Sequence, residues 1–342
     1  MIDSDIRYNQ RPQHLANAGL SYVIVIVRDR IFYTFLVHLD TTNSVLDKRR
    51  SLLRMNSCDE SIKEQDTVFY IPPDGFVKST KSKSQKIGNH HGLDHYAVPL
   101  TKTSKIGAKI DRFAFGKADL SSRVQHKTIL LMGVTGAGKT TLINAMINYV
   151  FNIQRDDPFR FQLVQESMRS SKTSRVTVYD IHHDEEFNIP FSLTIVDTPS
   201  FVEDTKKNEE IAEMIRELFH DRRDIFDLNL VGLVAQASIP RLMEPQLQIF
   251  DVVSNIFGDK ANNHTRFLLT FSDDANQIPP IFKFLKRVDH PSYFAYHMFN
   301  SAGFFGVVNN QSLVGLYNRE FWDMSVENFK QFFSVLGNLK PM

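Results

Sequence analysis

With 342 residues, 42% of them hydrophobic, the chain has enough apolar material to bury about two domain cores. A formal net charge of +1 gives no global pull toward nucleic acid or an anionic membrane surface, and the single cysteine, Cys58, excludes an intrachain disulfide and fits a reducing compartment. No apolar run approaches the ~20 residues of a transmembrane segment, and residues 1–11 are polar with no signal-peptide core, so the expectation is a soluble cytoplasmic protein.

Residues 1–18 read as a polar arm. Tyr22 to Val27 is a dense β-branched run, Arg28-Asp29-Arg30 breaks it, and a second run over 31–37 predicts a hairpin. Residues 44–55, with Val45, Leu46, Leu52 and Leu53 for one face, predict a helix; 67–71 predicts a strand stopped by Pro72-Pro73-Asp74-Gly75. Strand, strand, helix, strand is the order of a β-grasp (ubiquitin-like) module and equally of an unclassified small α+β domain, placed at 19–109. Residues 76–95 carry Lys78, Lys81, Lys83 and Lys86 among serines and then His90, His91 and His95, which predicts a solvated loop. No cysteine or acidic cluster accompanies the three histidines, so a metal site is not expected there.

A second domain is expected over 110–342. Its opening strand, Ile129-Leu130-Leu131-Met132, is the short apolar run that a strand covered on both faces needs. The next eight residues, 133–140, read G-V-T-G-A-G-K-T, the Walker A pattern. Several backbone N–H groups must converge on one phosphate there, and glycine supplies the positions where a Cβ would collide or forbid the backbone angles. Gly133, Thr135, Gly136, Ala137, Gly138, Lys139, Thr140 and Thr141 are therefore the candidate phosphate-binding residues. Lys139 brings a point charge to the β- and γ-phosphates, and the helix starting at Thr140 aims its unpaired amides at the same anion. The Thr140 hydroxyl is left for Mg²⁺.

Residues 152–174 form a long polar connection of the kind that orders around a γ-phosphate and Mg²⁺, and Thr173 is the candidate there for both metal and catalysis. After a strand at 176–181, a second buried-type strand over 191–196 ends on Asp197-Thr198-Pro199-Ser200. An acid at the carboxyl end of a strand beside the loop strand suits the Mg²⁺ water shell, which makes Asp197 the second metal candidate. A helix at 208–219, a strand at 228–235, a helix at 245–257 and strands at 266–271 and 293–299 follow, then an aromatic-rich amphipathic helix over 319–336. Strands alternating with helices after a phosphate loop predict a three-layer α/β P-loop NTPase fold with a doubly wound, mostly parallel sheet.

The ordered set of 133–140, 197–200, Thr270-Phe271-Ser272-Asp273 and Ser301-Ala302 resembles the septin-like group of GTPases, which includes the immunity-associated and the chloroplast import-receptor GTPases. Residues 236–241 look like the extra box that the immunity-associated proteins carry, and the T-F-x-D form is similar to that of uncharacterised animal GTPases with an N-terminal extension. The resemblance, over about 125–305, implies that Asp273 selects guanine, that a Ser301-Ala302 amide meets the base, that Thr270 opens the base motif, and that the Ser200 N–H senses the γ-phosphate. GTPases place glycine at that last position, and serine restricts the backbone flip. Phe271 stands where lysine covers the base, and a phenyl ring can stack in its stead. Phe201 occupies the place where Ras-like enzymes hold the glutamine that orients the attacking water.

What the resemblance implies is a guanine-nucleotide-binding protein with GTP or GDP and Mg²⁺ as ligands. It also implies slow hydrolysis and oligomerisation across the nucleotide face; the protein partners of the N-terminal domain, which the resemblance does not cover, are unknown. Two other readings stay open on the residues alone. One is a scaffold that binds nucleotide with little hydrolysis; the other is an ATP-using P-loop kinase or ATPase, for which Thr270 to Asp273 would be accidental.

Overall fold

The computed structural model describes residues 20–28, 31–38, 75–90, 92–107, 109–118, 124–165, 175–220, 228–272, 279–281, 295–306 and 313–342. The chain divides into two compact units, Met1–Tyr70 and Ile71–Met342. In the first, β1 (Leu20–Arg28) and β2 (Ile31–His38) pair antiparallel, as the two β-branched runs predict. The helix at 44–55 and the strand at 67–71 lie outside the described residues.

The second unit begins with α1 (Phe76–Lys83), β3 (Lys86–His90), β4 (Leu93–Ala97), β5 (Thr101–Gly107) and β6 (Ile110–Phe115). Then come β7 (Gln125–Gly133), α2 (Lys139–Val150), β8 (Phe159–Gln162), β9 (Val176–Ile181), β10 (Phe191–Asp197) and α3 (Thr205–His220). The remainder is β11 (Leu228–Gln236), α4 (Glu244–Phe257), β12 (Thr265–Thr270), β13 (Tyr296–Met298) and α5 (Leu313–Asn338).

Eight strands form one sheet in the order β13-β12-β11-β7-β10-β9-β6-β5. The run from β13 to β10 is parallel, β9 is antiparallel to β10, and β6 rejoins in parallel to β9. Alternate residues of β7 feed two cores. Ile129 and Leu131 join the core with α2 and α5, while Leu130 and Met132 join the core with α3 and α4. These are the three layers expected of a strand buried on both sides. None of the described helices is long and apolar enough to cross a membrane.

The expected solvated loop over 76–95 is instead folded onto this unit. The Phe76 ring meets Phe115, Phe151 and Phe187 edge-on at 5.8, 5.1 and 5.0 Å, and the Lys81 ammonium lies 4.3 Å from the centroid of the Phe159 ring. The lysines read as solvated because a lysine can cover an aromatic with its stem while keeping its charge in water. The boundary expected near residue 110 therefore falls inside the β5–β6 hairpin of the main sheet.

The long connection after α2 also carries structure, since β8 pairs in parallel with β4 in a small sheet ordered β3-β4-β8. Two buried asparagines of α2 hold it. Asn144 accepts from the Leu163 and Val164 amides and donates to the Val164 carbonyl, and Asn148 brackets Phe161 in the same way.

Candidate functional site

The last residue of strand β7 is Gly133 for a steric reason: a Cβ there would lie 2.8 Å from the Val234 carbonyl oxygen of neighbouring β11. The loop then turns through Gly136 at φ 79° and Gly138 at φ 85°, the left-handed region that glycine adopts without a Cβ penalty. Gly138 is the residue before α2, where no side chain caps the helix and no acid stands in the first turn. Its leading amides and positive dipole end are left for an external anion.

The loop carbonyls are tied from behind. The Thr270 hydroxyl donates to the Ala137 oxygen (2.6 Å), and the Gln236 amide donates to the Gly136 oxygen (3.0 Å). A trans peptide points its N–H opposite to its carbonyl, so anchoring Ala137 O turns the Gly138 N–H away from the strand ends. Thr270, expected at the base, thus acts as a brace for the loop. Thr135, Gly136 and Thr141 are exposed, while Thr140 is half-buried.

Lys139 is buried, and its ammonium donates to Asp197 Oδ1 (2.5 Å) and to the Thr198 carbonyl; Asp197 is equally buried. The structure therefore brings the lysine of the loop and the acid of β10 into one ion pair. Thr198 fixes the chain after Asp197 by donating its hydroxyl to Leu131 O (2.9 Å), and the Phe201 N–H donates to Gly133 O (3.0 Å). Ser200 lies half-buried on this segment beside the loop. Phe201 itself is a core residue, 1% exposed.

At the ends of β12 and β13, Phe299 N–H donates to Leu269 O and Ser272 N–H to Phe299 O, closing one strand against the other. A 3₁₀ turn follows at Ser301–Phe304, with Ala302 exposed and Ser301 buried. The Ser301 hydroxyl is a buried polar atom with no hydrogen-bond partner among the described residues. Asp273 and Thr173 lie outside the described residues.

Three residues that the sequence reading did not single out hold this turn. Ser325 of α5 donates its hydroxyl between the Asn300 and Phe321 carbonyls (2.5 and 2.6 Å). At Gly303 a Cβ would stand 2.4 Å from Ser325 Oγ and 2.5 Å from Phe321 O, so α5 lies directly on the turn. Arg160 of β8 is fully buried, with its donors spent on carbonyls: Phe304 (2.5 Å), Phe159 (2.6 Å), Asp157 (2.7 Å) and Arg155 (3.1 Å). Its guanidinium also lies 4.9 Å from the Trp322 ring centroid, and burial pulls its pKa down to about 10, so it stays charged at neutral pH. The one advance signal was polarity out of place: Asn144 and Asn148 interrupt an otherwise apolar helix face, and Arg160 stands between two phenylalanines.

A cavity of about 500 Å³ adjoins the loop, lined among others by Thr135, Gln236, Ile239, Met243 and Glu203. The segment after β11 that was likened to an extra family box thus forms a wall beside the phosphate loop.

Residues 127–292 match the AIG1 family. The chain carries a P-loop GTPase domain. No curated protein matches the chain. Among solved structures, Toc33 from Arabidopsis thaliana in complex with Mg²⁺ and GMPPNP is 18% identical, with a TM-score of 0.42 over 64% of this chain and 87% of that one. Translation elongation factor SelB from Methanococcus maripaludis with GppNHp is 12% identical, with a TM-score of 0.35 over 64% and 35% of the two chains. The G domain of the T. maritima FeoB iron transporter is 17% identical, with a TM-score of 0.29 over 60% and 99%. The AIG1 match ends before Ser301, so the Ser301–Phe304 turn is defined here by its own packing.

Proposed function

We propose that this G domain binds GTP and GDP with Mg²⁺, hydrolyses GTP slowly, and works in the cytoplasm as a switch or as a GTPase that oligomerises across its nucleotide face, in the manner of the septin-like group. The observation that carries the reading is the uncapped start of α2 above a loop with two left-handed glycines, with Lys139 and Asp197 buried against each other beside it.

The residues fit the ligands by charge balance. The Lys139 ammonium and the Asp197 carboxylate neutralise one another inside the fold, and a polyphosphate arriving with a divalent cation offers each a new partner of opposite sign. Lys139 and the loop amides would hold the phosphates, and Thr140 and Asp197 would hold Mg²⁺ with Thr173. The metal supplies neutralisation of the charge on the phosphate oxygens. What this chain contributes is positional: amides fixed in advance toward the anion, a buried ammonium and a loop braced by Thr270 and Gln236.

Slow turnover is supported by Phe201. Being part of the core, it presents no polar group to orient a water, so efficient hydrolysis would need a residue from a second copy or a partner. The same observation favours a second reading, a nucleotide-binding scaffold with little hydrolysis. Single-turnover hydrolysis at rising protein concentration separates them, because only the oligomerising GTPase accelerates. For the base, Asp273→Asn is expected to exchange guanine for xanthine preference in competition binding, and unchanged GTP affinity in that variant removes the assignment.

A further inference from the structure

The cavity of about 500 Å³ beside the phosphate loop takes no part in the nucleotide reading above, yet its walls are fixed by hydrogen bonds between elements. On the loop side the Gln236 amide holds Gly136 O (3.0 Å), and at the start of α4 the Gln246 side chain accepts from the Met243 N–H (2.7 Å). Opposite them, the buried Asn208 of α3 accepts from the Val202 N–H (3.0 Å) and donates to the Val202 carbonyl (2.7 Å). It also donates to Gln248 of α4 (2.6 Å), which sets the segment carrying Glu203 against that helix. A groove braced on each side is formed in advance, so an occupant does not have to order it.

Two kinds of surface line the groove. Val134, Ile239 and Met243 are apolar, and the apolar strip continues along α4, where Met243 is 55% and Leu247, one turn on, 36% exposed. The only charged residues on the lining, among the described residues, are two acids, Glu203 and Glu244, and neither makes an ion pair among them. Each stands near a helix start, Glu244 in the first turn of α4 and Glu203 just before α3, a placement that the helix dipole favours. That accounts for an acid at either place; it does not account for both lining one apolar groove. The complement of such a surface is a basic side chain whose stem lies on Ile239 and Met243 while its head reaches the acids. Because the apolar strip runs on to Leu247, apolar residues must flank the basic one, which a free small cation does not supply.

We propose that this groove is a docking site for a partner protein that inserts an arginine flanked by apolar residues. Arginine suits it better than lysine, since a guanidinium is the more weakly hydrated of the two and offers several donors to a pair of carboxylates. Neither Glu203 nor Glu244 belongs to the residues assigned to phosphate, metal or base, so docking here is a function separate from nucleotide binding.

The full chain, labelled at its methionine methyl groups, is titrated with acetyl-leucyl-arginyl-leucine amide and with the same peptide carrying citrulline, which keeps the shape of arginine without its charge. The Met243 methyl resonance, identified by its loss in Met243→Leu, should shift and saturate with the arginine peptide, and the citrulline peptide should bind about fivefold more weakly. Glu203→Gln combined with Glu244→Gln should bring the arginine peptide down to the citrulline level at little cost in melting temperature, since both side chains are exposed. Equal binding of the two peptides, an undiminished response in the double variant, or no saturable shift at Met243 overturns the docking site. Self-association that rises with protein concentration and is lost in the double variant also overturns it, because a second copy of the chain would then fill the groove.

Discussion

The 133–140 loop and the 301–304 turn, proposed as the phosphate side and the base side of the site, are held in place by different means. Around the loop, the braces come from strand ends that lie side by side in one sheet: Thr270 from β12, Gln236 from β11 and Thr198 just past β10. Around the 301–304 turn, the braces are single side chains delivered from far along the chain, Arg160 from β8 and Ser325 from α5. The first arrangement spreads its support over a parallel sheet and ties in a buried ion pair, so the load is shared. In the second, few groups hold the turn, and losing one releases it. On the proposed nucleotide reading, phosphate contacts would be set by the fold, while base contacts would depend on a few positioning residues.

The strongest way to break that contrast is at Lys139. Lys139→Ala should cut nucleotide affinity by about 2–4 kcal/mol and also destabilise the ligand-free protein by about 3 kcal/mol or more, because Asp197 is left as a buried charge without its ammonium. Combining Lys139→Met with Asp197→Asn should recover most of the stability in chemical denaturation and none of the binding. Stability lost without any change in nucleotide affinity would show that the pair is only structural.

Next in size is Arg160→Met, expected to cost about 3 kcal/mol of stability, since the carbonyls of Phe304, Phe159, Asp157 and Arg155 lose a charged donor. Its more telling readout is selective: GDP affinity should fall while tripolyphosphate affinity holds. Parallel losses for both ligands would erase the distinction between the two sides.

The smallest effect is a pH dependence from the strand that leads into the base-side turn. Burial, with Arg266 adding to it, holds His297 of β13 at about 4, against an ordinary value of 6.5. A histidine depressed by folding takes its proton more readily when unfolded. Its stabilising contribution is therefore complete above about pH 6.5, shrinks as the pH falls toward 4, and amounts to at most about 3 kcal/mol. Melting curves from pH 7 to pH 4.5 should show this decline, and His297→Leu should flatten it. An unchanged acid limb in that variant would place the sensitivity elsewhere.

Most of the phosphate side was legible in the sequence because its parts are contiguous. A strand, a glycine-spaced loop and a helix are read from neighbouring residues, and Asp197 from the end of the next buried strand. The base side was less so. Ser325 sits inside an aromatic-rich helix and gives no local sign that it reaches the Asn300 carbonyl, and Arg160, though flanked by two phenylalanines, gives none that it reaches the Phe304 carbonyl. Thr270 was singled out as the opening residue of the base motif, and composition gave no sign that its hydroxyl also donates to the Ala137 carbonyl of the loop. The lysines of 78–86 misled for a related reason, because composition cannot show that Phe76, one residue among many polar ones, is wedged among three other rings.

The two asparagine rungs on α2 have a mechanical consequence. They clamp the chain to the helix as far as Val164, so β8 travels with the phosphate loop as one rigid piece. The Val164 carbonyl accepts from the same Asn144 side chain that receives its N–H, so the clamp closes on both sides of that residue.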